Sequence, residues 1–268
     1  MGEPARRLAV VLAAATVLAQ IAYPLVGGTA RSALTVATVV VFFLASVTHA
    51  LATRGPAWTA ILVAVSAGGG LLAEAIGVAT GWPFGSYVYA GSLGPEVFGV
   101  PMVIPLAWTM MAYPALVVAA RLTRGLIRRG LLAGYALASW DLFLDPQMVD
   151  AGHWRWVDPS PALPGVPHVP VGNYLGWLGV AVLMCLLMCL LMCTVMALLP
   201  VRPPRSAGSG GDGVPMALYL WTYFSSLLAH AAFFGLAGSA LWGGVAMGLV
   251  AIPLALSLSR PLMVRQPS

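Results

Sequence analysis

The chain returns again and again to long apolar runs and has almost no charge with which to break them. Only 8% of its 268 residues are charged, against roughly 25% in a soluble domain. A run of about twenty apolar residues is what a helix needs to cross the hydrocarbon layer of a bilayer. About eight runs are legible, at roughly 8–26, 33–51, 57–79, 101–120, 130–146, 173–199, 215–237 and 239–258. Gly27-Gly28, Gly55-Pro56 and a tight turn near Gly238 punctuate them. The expected fold is therefore all-α, a polytopic membrane helix bundle of about eight transmembrane helices, with residues 1–268 forming one integral membrane domain. The first run follows Arg6 and Arg7 as a signal peptide's would. It is read as a retained span, because the topology works with it in place.

The arginines set that topology. All 13 basic residues are Arg, and in membrane proteins such residues collect in cytoplasmic loops. With the N-terminus inside, the inside segments carry Arg6, Arg7, Arg54, Arg121, Arg124, Arg128, Arg129, Arg202, Arg205, Arg260 and Arg265. The outside segments carry only Arg31 and Arg155. The bias predicts a multi-pass cell-membrane protein with both N- and C-termini cytoplasmic. It also accounts for the net charge of +5 without any nucleic acid. The two long loops, 80–100 and 147–172, then face outside. Loops of that length are usually functional or disordered, and their wealth of aromatics argues against disorder. An interfacial aromatic belt is the plainer alternative. Residues 202–213, with Pro203, Pro204 and a Ser/Gly run, read as a flexible inside linker.

Few polar groups interrupt the apolar runs, and most of them fall at one level. Asp141 and Asp145 are four residues apart, hence on one helical face, in a helix expected to stop at Pro146. At about 1.5 Å per residue, Glu74 lies roughly 26 Å from the inner end of its span, Asp141 roughly 16 Å, Asp145 roughly 22 Å and His230 roughly 22 Å. All sit in the outer half of the bilayer, beneath the aromatic loops, where Asn173 also begins its span. Each has a plainer reading: Glu74 and Asp145 as interfacial residues, Asp141 as a structural pair with a neighbouring helix, His230 and Trp108 as packing. Yet an ionised group near the membrane centre costs about 2.5–3.5 kcal/mol on insertion scales, and one level shared by four such groups is the pattern of a site. The residues show no HxxxH, no ExxH and no second acidic cluster to hold magnesium, so no metal is expected. Cys185, Cys189 and Cys193 form a stripe within one span. Thiolates suit Cu(I), but a packing or lipid-facing stripe is the better reading.

Two groups of motifs carry a resemblance. One is Glu74-Ala-Ile-Gly-Val-Ala-Thr-Gly-Trp82-Pro-Phe-Gly-Ser-Tyr87-Val-Tyr89, followed by Gly99-Val-Pro and Ile104-Pro-Leu-Ala-Trp108. The other is Trp140-Asp141-Leu-Phe-Leu-Asp145-Pro146, followed by Trp154-Arg-Trp156 and Asn173-Tyr-Leu-Gly-Trp177. Over about residues 74–177 the chain resembles the membrane carotenoid biosynthesis protein family, whose members include carotenoid 1′,2′-hydratases and the bisanhydrobacterioruberin hydratase. His168 has no counterpart in the pattern.

The resemblance implies a hydro-lyase that adds water across the terminal C=C of an acyclic carotenoid ψ-end, a lycopene- or bacterioruberin-precursor-like polyene. Its partners would be that polyene, water and the bilayer, with other carotenoid pathway enzymes left open. The residues are able to run such a reaction without a cofactor. A neutral carboxylic acid protonates the alkene to a tertiary carbocation, a second carboxylate holds the water, and aromatic faces stabilise the cation. Asp141 is the expected acid, as the deepest group, with Asp145 or Glu74 on the water. Trp82, Tyr87, Tyr89, Trp108, Trp140, Trp154, Asn173 and His230 are the expected substrate-binding residues. Three readings compete: a transporter or lipid-binding protein with the carboxylates as a proton relay, a carotenoid end-group isomerase or cyclase, and a non-catalytic scaffold.

Overall fold

The computed structural model describes residues 3–198 and 211–259. Arg202, Arg205, Arg260, Arg265 and nearly all of the expected linker lie outside the described residues. In chain order, α1 (Glu3–Ala22) and a short 3₁₀ turn (Tyr23–Leu25) lead to α2 (Gly28–Arg54). The next rod is α3 (Pro56–Val63), a π-helical turn (Ala64–Gly68) and α4 (Gly69–Thr80). Short strands β1 (Tyr87–Tyr89), β2 (Glu96–Val97) and β3 (Val100–Pro101) precede α5 (Val103–Leu122) and α6 (Leu126–Asp150). Then come β4 (Trp154–Trp156), β5 (Ala162–Leu163), β6 (Val166–Pro170), α7 (Val171–Leu198), α8 (Gly213–Ala232) and α9 (Ala237–Ser259). The all-α membrane bundle is the observed architecture.

Among the described residues, six rods are long and apolar enough to cross a membrane by length and composition: α1, α2, α3–α4, α5, α7 and α9. α6 and α8 fall short by that measure. α6 carries Arg128, Arg129, Asp141, Asp145 and Asp150, and α8 carries His230 among several hydroxyl and ring polar groups. Both nevertheless pack within the bundle, against α5, α7 and α9 or against α1 and α5. α5 is its centre, buried along almost its whole length.

The arginine-bearing helix ends gather at one end. Arg54, at the end of α2, bonds Asp212 just before α8 at 2.6 Å in a buried ion pair. Arg121, at the end of α5, donates to the carbonyl of Ser257 near the end of α9 at 3.0 Å. At this end His49 also bridges Tyr113 (2.6 Å) and the Gly211 carbonyl (2.8 Å).

Proline does not end α6. The helix runs through Pro146 to Asp150, correcting the expected stop. A proline inside a helix leaves the carbonyl four residues back without its donor. Here that carbonyl is Leu142's, and Ser239 Oγ on α9 donates to it at 2.6 Å. The same device recurs in α5. Pro114 frees the Met110 carbonyl, and Ser46 Oγ on α2 donates to it at 2.9 Å. In each case a neighbouring helix supplies the missing bond, as happens where no water can do so. α6 also begins earlier than expected, at Leu126, so its aspartates stand about 6 Å further from the arginine end than the sequence arithmetic implies. Gly238, expected in the turn before the last helix, lies instead within α9.

Glycine sets the closest helix approach. A Cβ on Gly130 would stand 2.6 Å from the Leu186 side chain, and one on Gly134 would meet the Val182 backbone. Small residues one turn apart let α6 and α7 pack backbone to backbone. Stepping that antiparallel register nine residues further puts Asn173 level with Phe143, midway between Asp141 and Asp145.

The two long loops form one cap. β1 pairs antiparallel with β4 in the register Tyr87↔Trp156, Val88↔Arg155 and Tyr89↔Trp154. Alternation along a strand sends residues to opposite faces. Thus Tyr87, Trp154 and Trp156 are buried and Tyr89 half-buried, while Val88 and Arg155 are exposed. β5 and β6 make a hairpin beside them.

Candidate active site

Glu74 lies on α4, in the same rod as the π-helical turn and six residues beyond its end. Such turns insert an extra residue and recur at functional sites. The carboxylate is buried and held by three donors. Tyr87 Oη (2.6 Å) and Tyr89 Oη (2.9 Å) donate to Oε2, and Trp108 Nε1 (3.2 Å) donates to Oε1. Glycine makes the clamp fit. A Cβ on Gly77 would stand 2.9 Å from Tyr87 Oη, and one on Gly70 would stand 2.6 Å from the Trp108 ring. Burial, and then the adjacent Glu74 carboxyl, push the phenols of Tyr87 and Tyr89 up, so both remain donors. Trp177 stacks on Trp108 with centroids 3.9 Å apart and planes 5° from parallel.

Asp141 and Asp145 face α7, where the register predicts Asn173. Asn173 Nδ2 donates to Asp141 Oδ2 at 3.0 Å and makes a second, short bond to Asp145 Oδ2. Trp154 Nε1, from β4, donates to Asp145 Oδ1 at 3.1 Å. Asp141 is fully buried, and its Oδ1 has no hydrogen-bond partner among the described residues. Apart from the contact of Asp141 and Asp145 with each other, the side-chain donors to the three carboxyls are neutral tyrosine, tryptophan and asparagine. Among the described residues no arginine or histidine pairs with any of them, and no group of three or more His, Cys, Asp or Glu is placed to hold a metal ion.

Two cavities meet here. The smaller, about 30 Å³, is lined by Glu74, Asp145 and Asn173 below the rings of Tyr87, Tyr89, Trp154 and Trp156. The larger, about 120 Å³, lies among α1, α2, α5, α6 and α8. It is mostly apolar, with Phe42, Val103, Met110, Trp140, Met148 and Phe234 in its wall. Ile104, Ala107, Leu144 and Trp154 line both cavities.

The carotenoid biosynthesis protein family model matches residues 30–252. The chain belongs to this family. It is also 36% identical, over 121 residues, to the bisanhydrobacterioruberin hydratase of Haloarcula japonica. That alignment covers 41% of this chain and 39% of the relative, so the chain spans about two-fifths of that relative's length. No solved structure matches the chain.

In this carotenoid biosynthesis protein the structure brings Glu74, Asp145, Tyr87, Tyr89, Trp108, Trp154 and Asn173 to one small cavity. Asp141 stands behind Asp145, joined through Asn173, and lines neither cavity. Trp140 lines the larger cavity. Two expected substrate-binding residues lie elsewhere. Trp82 is 70% exposed on the cap. His230 is buried away from the carboxyls, bonding the carbonyls of Ser226 (2.7 Å) and Phe143 (3.0 Å), and so joins α8 to α6. Cys185 and Cys189 are buried and Cys193 is exposed.

Sequence reasoning did not single out Phe84, Trp156 and Trp177, which complete the small cavity. Trp156 stands two residues from Trp154, and strand alternation puts both on one face. Phe84 and Trp177 stand within the motifs that carry the family resemblance, but those motifs do not say which of their aromatics face the cavity.

Proposed function

We propose that this protein hydrates the terminal C=C of an acyclic carotenoid. The observation that carries the reading is the pair of adjoining cavities. An apolar one suits the end of a polyene, and a polar one of about 30 Å³ has room for a water held by Asp145, Glu74 and Asn173. The hydratase named among its relatives agrees with this.

The steps balance without a cofactor. The Asp141–Asp145 pair carries one proton between two carboxyls, and Asp145, the member on the cavity, delivers it to the CH carbon of the terminal alkene. The C=C electron pair forms the new C–H bond, leaving a tertiary carbocation on the neighbouring carbon. The Trp154 ring and the Trp108–Trp177 stack offer it π faces, and Glu74 offers it negative charge. Water attacks the cation through oxygen, and its surplus proton returns to Asp145. The product is a tertiary alcohol and the enzyme is unchanged. Asp141 acts by holding charge behind Asp145, a role assigned here from the cavity lining in place of direct donation.

On the arginine bias, the helix ends bearing Arg54 and Arg121 are read as cytoplasmic, which would put the capped site in the outer half of the cell membrane. The test is expression in a lycopene-accumulating bacterium with pigment masses read out. Wild type is expected to add one water per reacting end, and Asp145→Asn to abolish the addition. Pigment of altered absorption but unchanged mass would sink the proposal in favour of isomerisation or cyclisation. Full activity in a Glu74→Gln/Asp141→Asn/Asp145→Asn triple variant would remove the carboxyls from the chemistry.

A further inference from the structure

One residue of the cap breaks both the rule for its turn and the rule for its chemistry. β2 and β3 form a hairpin in the register Glu96↔Pro101 and Val97↔Val100, which leaves Phe98 and Gly99 as a two-residue turn. Their φ values are 54° and 76°. Positive φ at both positions suits the twist of a hairpin, and Asn-Gly, Asp-Gly or Gly-Gly normally fills them. Gly99 conforms and Phe98 does not. A bulky side chain at positive φ is strained, and among the described residues Phe98 is the one non-glycine residue in that region. Internal packing does not offset the strain, because Phe98 is 78% exposed. Met102 at 54% and Val97 at 37% extend the same exposed apolar surface.

The position of the hairpin says what covers it. A Cβ on Gly99 would stand 3.2 Å from Val78 Cγ1, so the turn lies against the last turn of α4. The rod Pro56–Thr80 is long and apolar enough to cross a membrane, and so is α5, which begins at Val103 directly after the hairpin. Phe98 is therefore held at the level where two such rods end. That is the membrane interface, where aromatic side chains gather. Trp82, two residues beyond the end of the same rod, is exposed as well. Glu96 at the base of the hairpin is also exposed. It limits the depth to the headgroup layer, since a carboxylate is costly in hydrocarbon.

We infer that the β2–β3 hairpin anchors the cap to the bilayer, with Phe98, Val97 and Met102 immersed in the interfacial layer at the capped end of the bundle. Withdrawing that apolar surface from water offsets the strained turn. Asn-Gly would make an easier turn and leave nothing to insert. Leu93 and Val103, which flank the hairpin, line the larger cavity, so the anchor ties the lipid surface to that cavity's wall. The inference rests on the membrane-spanning bundle and is independent of the hydration chemistry.

The experiment uses the full-length protein in phosphatidylcholine nanodiscs. An environment-sensitive fluorophore is attached at Met102→Cys, and separately at Val97→Cys as a second position. Both are made in a Cys193→Ser background, because Cys185 and Cys189 are buried. The quenchers are lipids carrying a nitroxide near the top or near the end of the acyl chain, and iodide in the water. With Phe98 in place, the shallow nitroxide is expected to quench strongly and iodide weakly. Phe98→Asn suits the turn and removes the ring. It is expected to shift the ratio of immersed to withdrawn tips about 3- to 10-fold toward water, read as increased iodide quenching. Phe98→Trp is expected to restore the shielding. The thermal midpoint of Phe98→Asn in detergent should not fall, and a drop of several degrees would mean that the ring packs on the protein, overturning the inference. Strong iodide quenching with Phe98 in place would show a tip standing in water. Shielding from both iodide and nitroxide would show a tip covered by another protein or a second copy of this chain. Either result overturns the inference, as does quenching that Phe98→Asn leaves unchanged.

Discussion

Asn173 offers the sharpest test of the proposed chemistry, because one nitrogen serves both aspartates. Asn173→Leu keeps the approximate volume and removes both donors. Asp145 gains full negative charge when it gives up its proton, so the bond from Nδ2 is stronger at that point than before it. A hydrogen bond to a charged group is worth about 1.5–3 kcal/mol. At about 1.36 kcal/mol per factor of ten, kcat is expected to fall roughly 10- to 150-fold. Asn173→Asp, which keeps the shape but exchanges a donor for a fourth carboxyl, is expected to be worse. The assay is initial hydration rate in membranes, normalised to tagged protein and paired with a thermal midpoint in detergent. The second measurement is needed because orphaned carboxylate oxygens also cost folding energy, about 1–3 kcal/mol per group. An Asn173→Leu variant of normal abundance and midpoint that keeps more than half of wild-type kcat would refute the idea that the pair works through this amide.

Three further outcomes follow from the geometry. Gly70→Ala places a Cβ 2.6 Å from the Trp108 ring. It is expected to push that ring off Glu74 and Trp177, lowering activity at least tenfold, with a change in tryptophan fluorescence as the structural check. Ser239→Ala takes the donor from the Leu142 carbonyl and is expected to cost about 1–3 kcal/mol of stability. Adding Pro146→Ala restores a backbone N–H to that carbonyl and is expected to recover most of the loss in thermal midpoint. On the cap, His153 is buried, with Ser92 2.8 Å from Nδ1 and Nε2 without a hydrogen-bond partner among the described residues. Burial holds its pKa below the ordinary 6.5. The unfolded cap therefore binds the extra proton first, so this contribution to stability is full above pH 6.5 and is lost as pH falls below it. Limited proteolysis of the cap is expected to accelerate below that pH in wild type and to lose the dependence in His153→Gln.

The fold was legible because apolar length is a one-dimensional property. The eight runs match the helical rods to within about five residues at either end. The conspicuous miss, the stop at Pro146, arises because a proline's missing bond is judged locally. The donor that replaces it, Ser239, is 93 residues away in sequence. The site was legible in height and not in plan. Rise per residue put Glu74, Asp141 and Asp145 near one level. It put His230 there too, although His230 bonds the carbonyls of Ser226 and Phe143 instead. Height says nothing about which way round its helix a side chain points. The antiparallel approach of α6 and α7 at Gly130 and Gly134 was written in the chain as small residues one turn apart. That spacing does not say which residues of α7 lie opposite, so the register that puts Asn173 between the aspartates came from the contacts with Val182 and Leu186. The pairing of β1 with β4 was not readable, since two three-residue strands more than sixty residues apart leave no periodic trace.

The charge balance of the site bears on what it was built to hold. Three carboxyls converge with only neutral donors around them, and the nearest analogue elsewhere in the protein, Asp212, is paired directly with Arg54. A buried acidic cluster without a cation is costly unless protons are shared or positive charge arrives. Sharing a proton across Asp141 and Asp145 relieves one charge and leaves Glu74 on its three donors. A tertiary carbocation formed beside Asp145 would supply the missing positive charge at the moment that aspartate becomes anionic. On the proposed reading the proton transfer leaves the net charge of the site unchanged and places the new positive charge beside the carboxylates that stabilise it, where a resident arginine would repel it. The prediction peculiar to this balance is that bringing in a cation is worse than removing a carboxylate. Glu74→Gln keeps an oxygen acceptor for the two tyrosines and should retain measurable hydration, whereas Leu144→Arg, which aims a permanent cation into the shared wall, should retain none even where the protein accumulates normally. Equal residual activity in the two variants would show that electrostatic complementarity to a cation is not what the cluster provides.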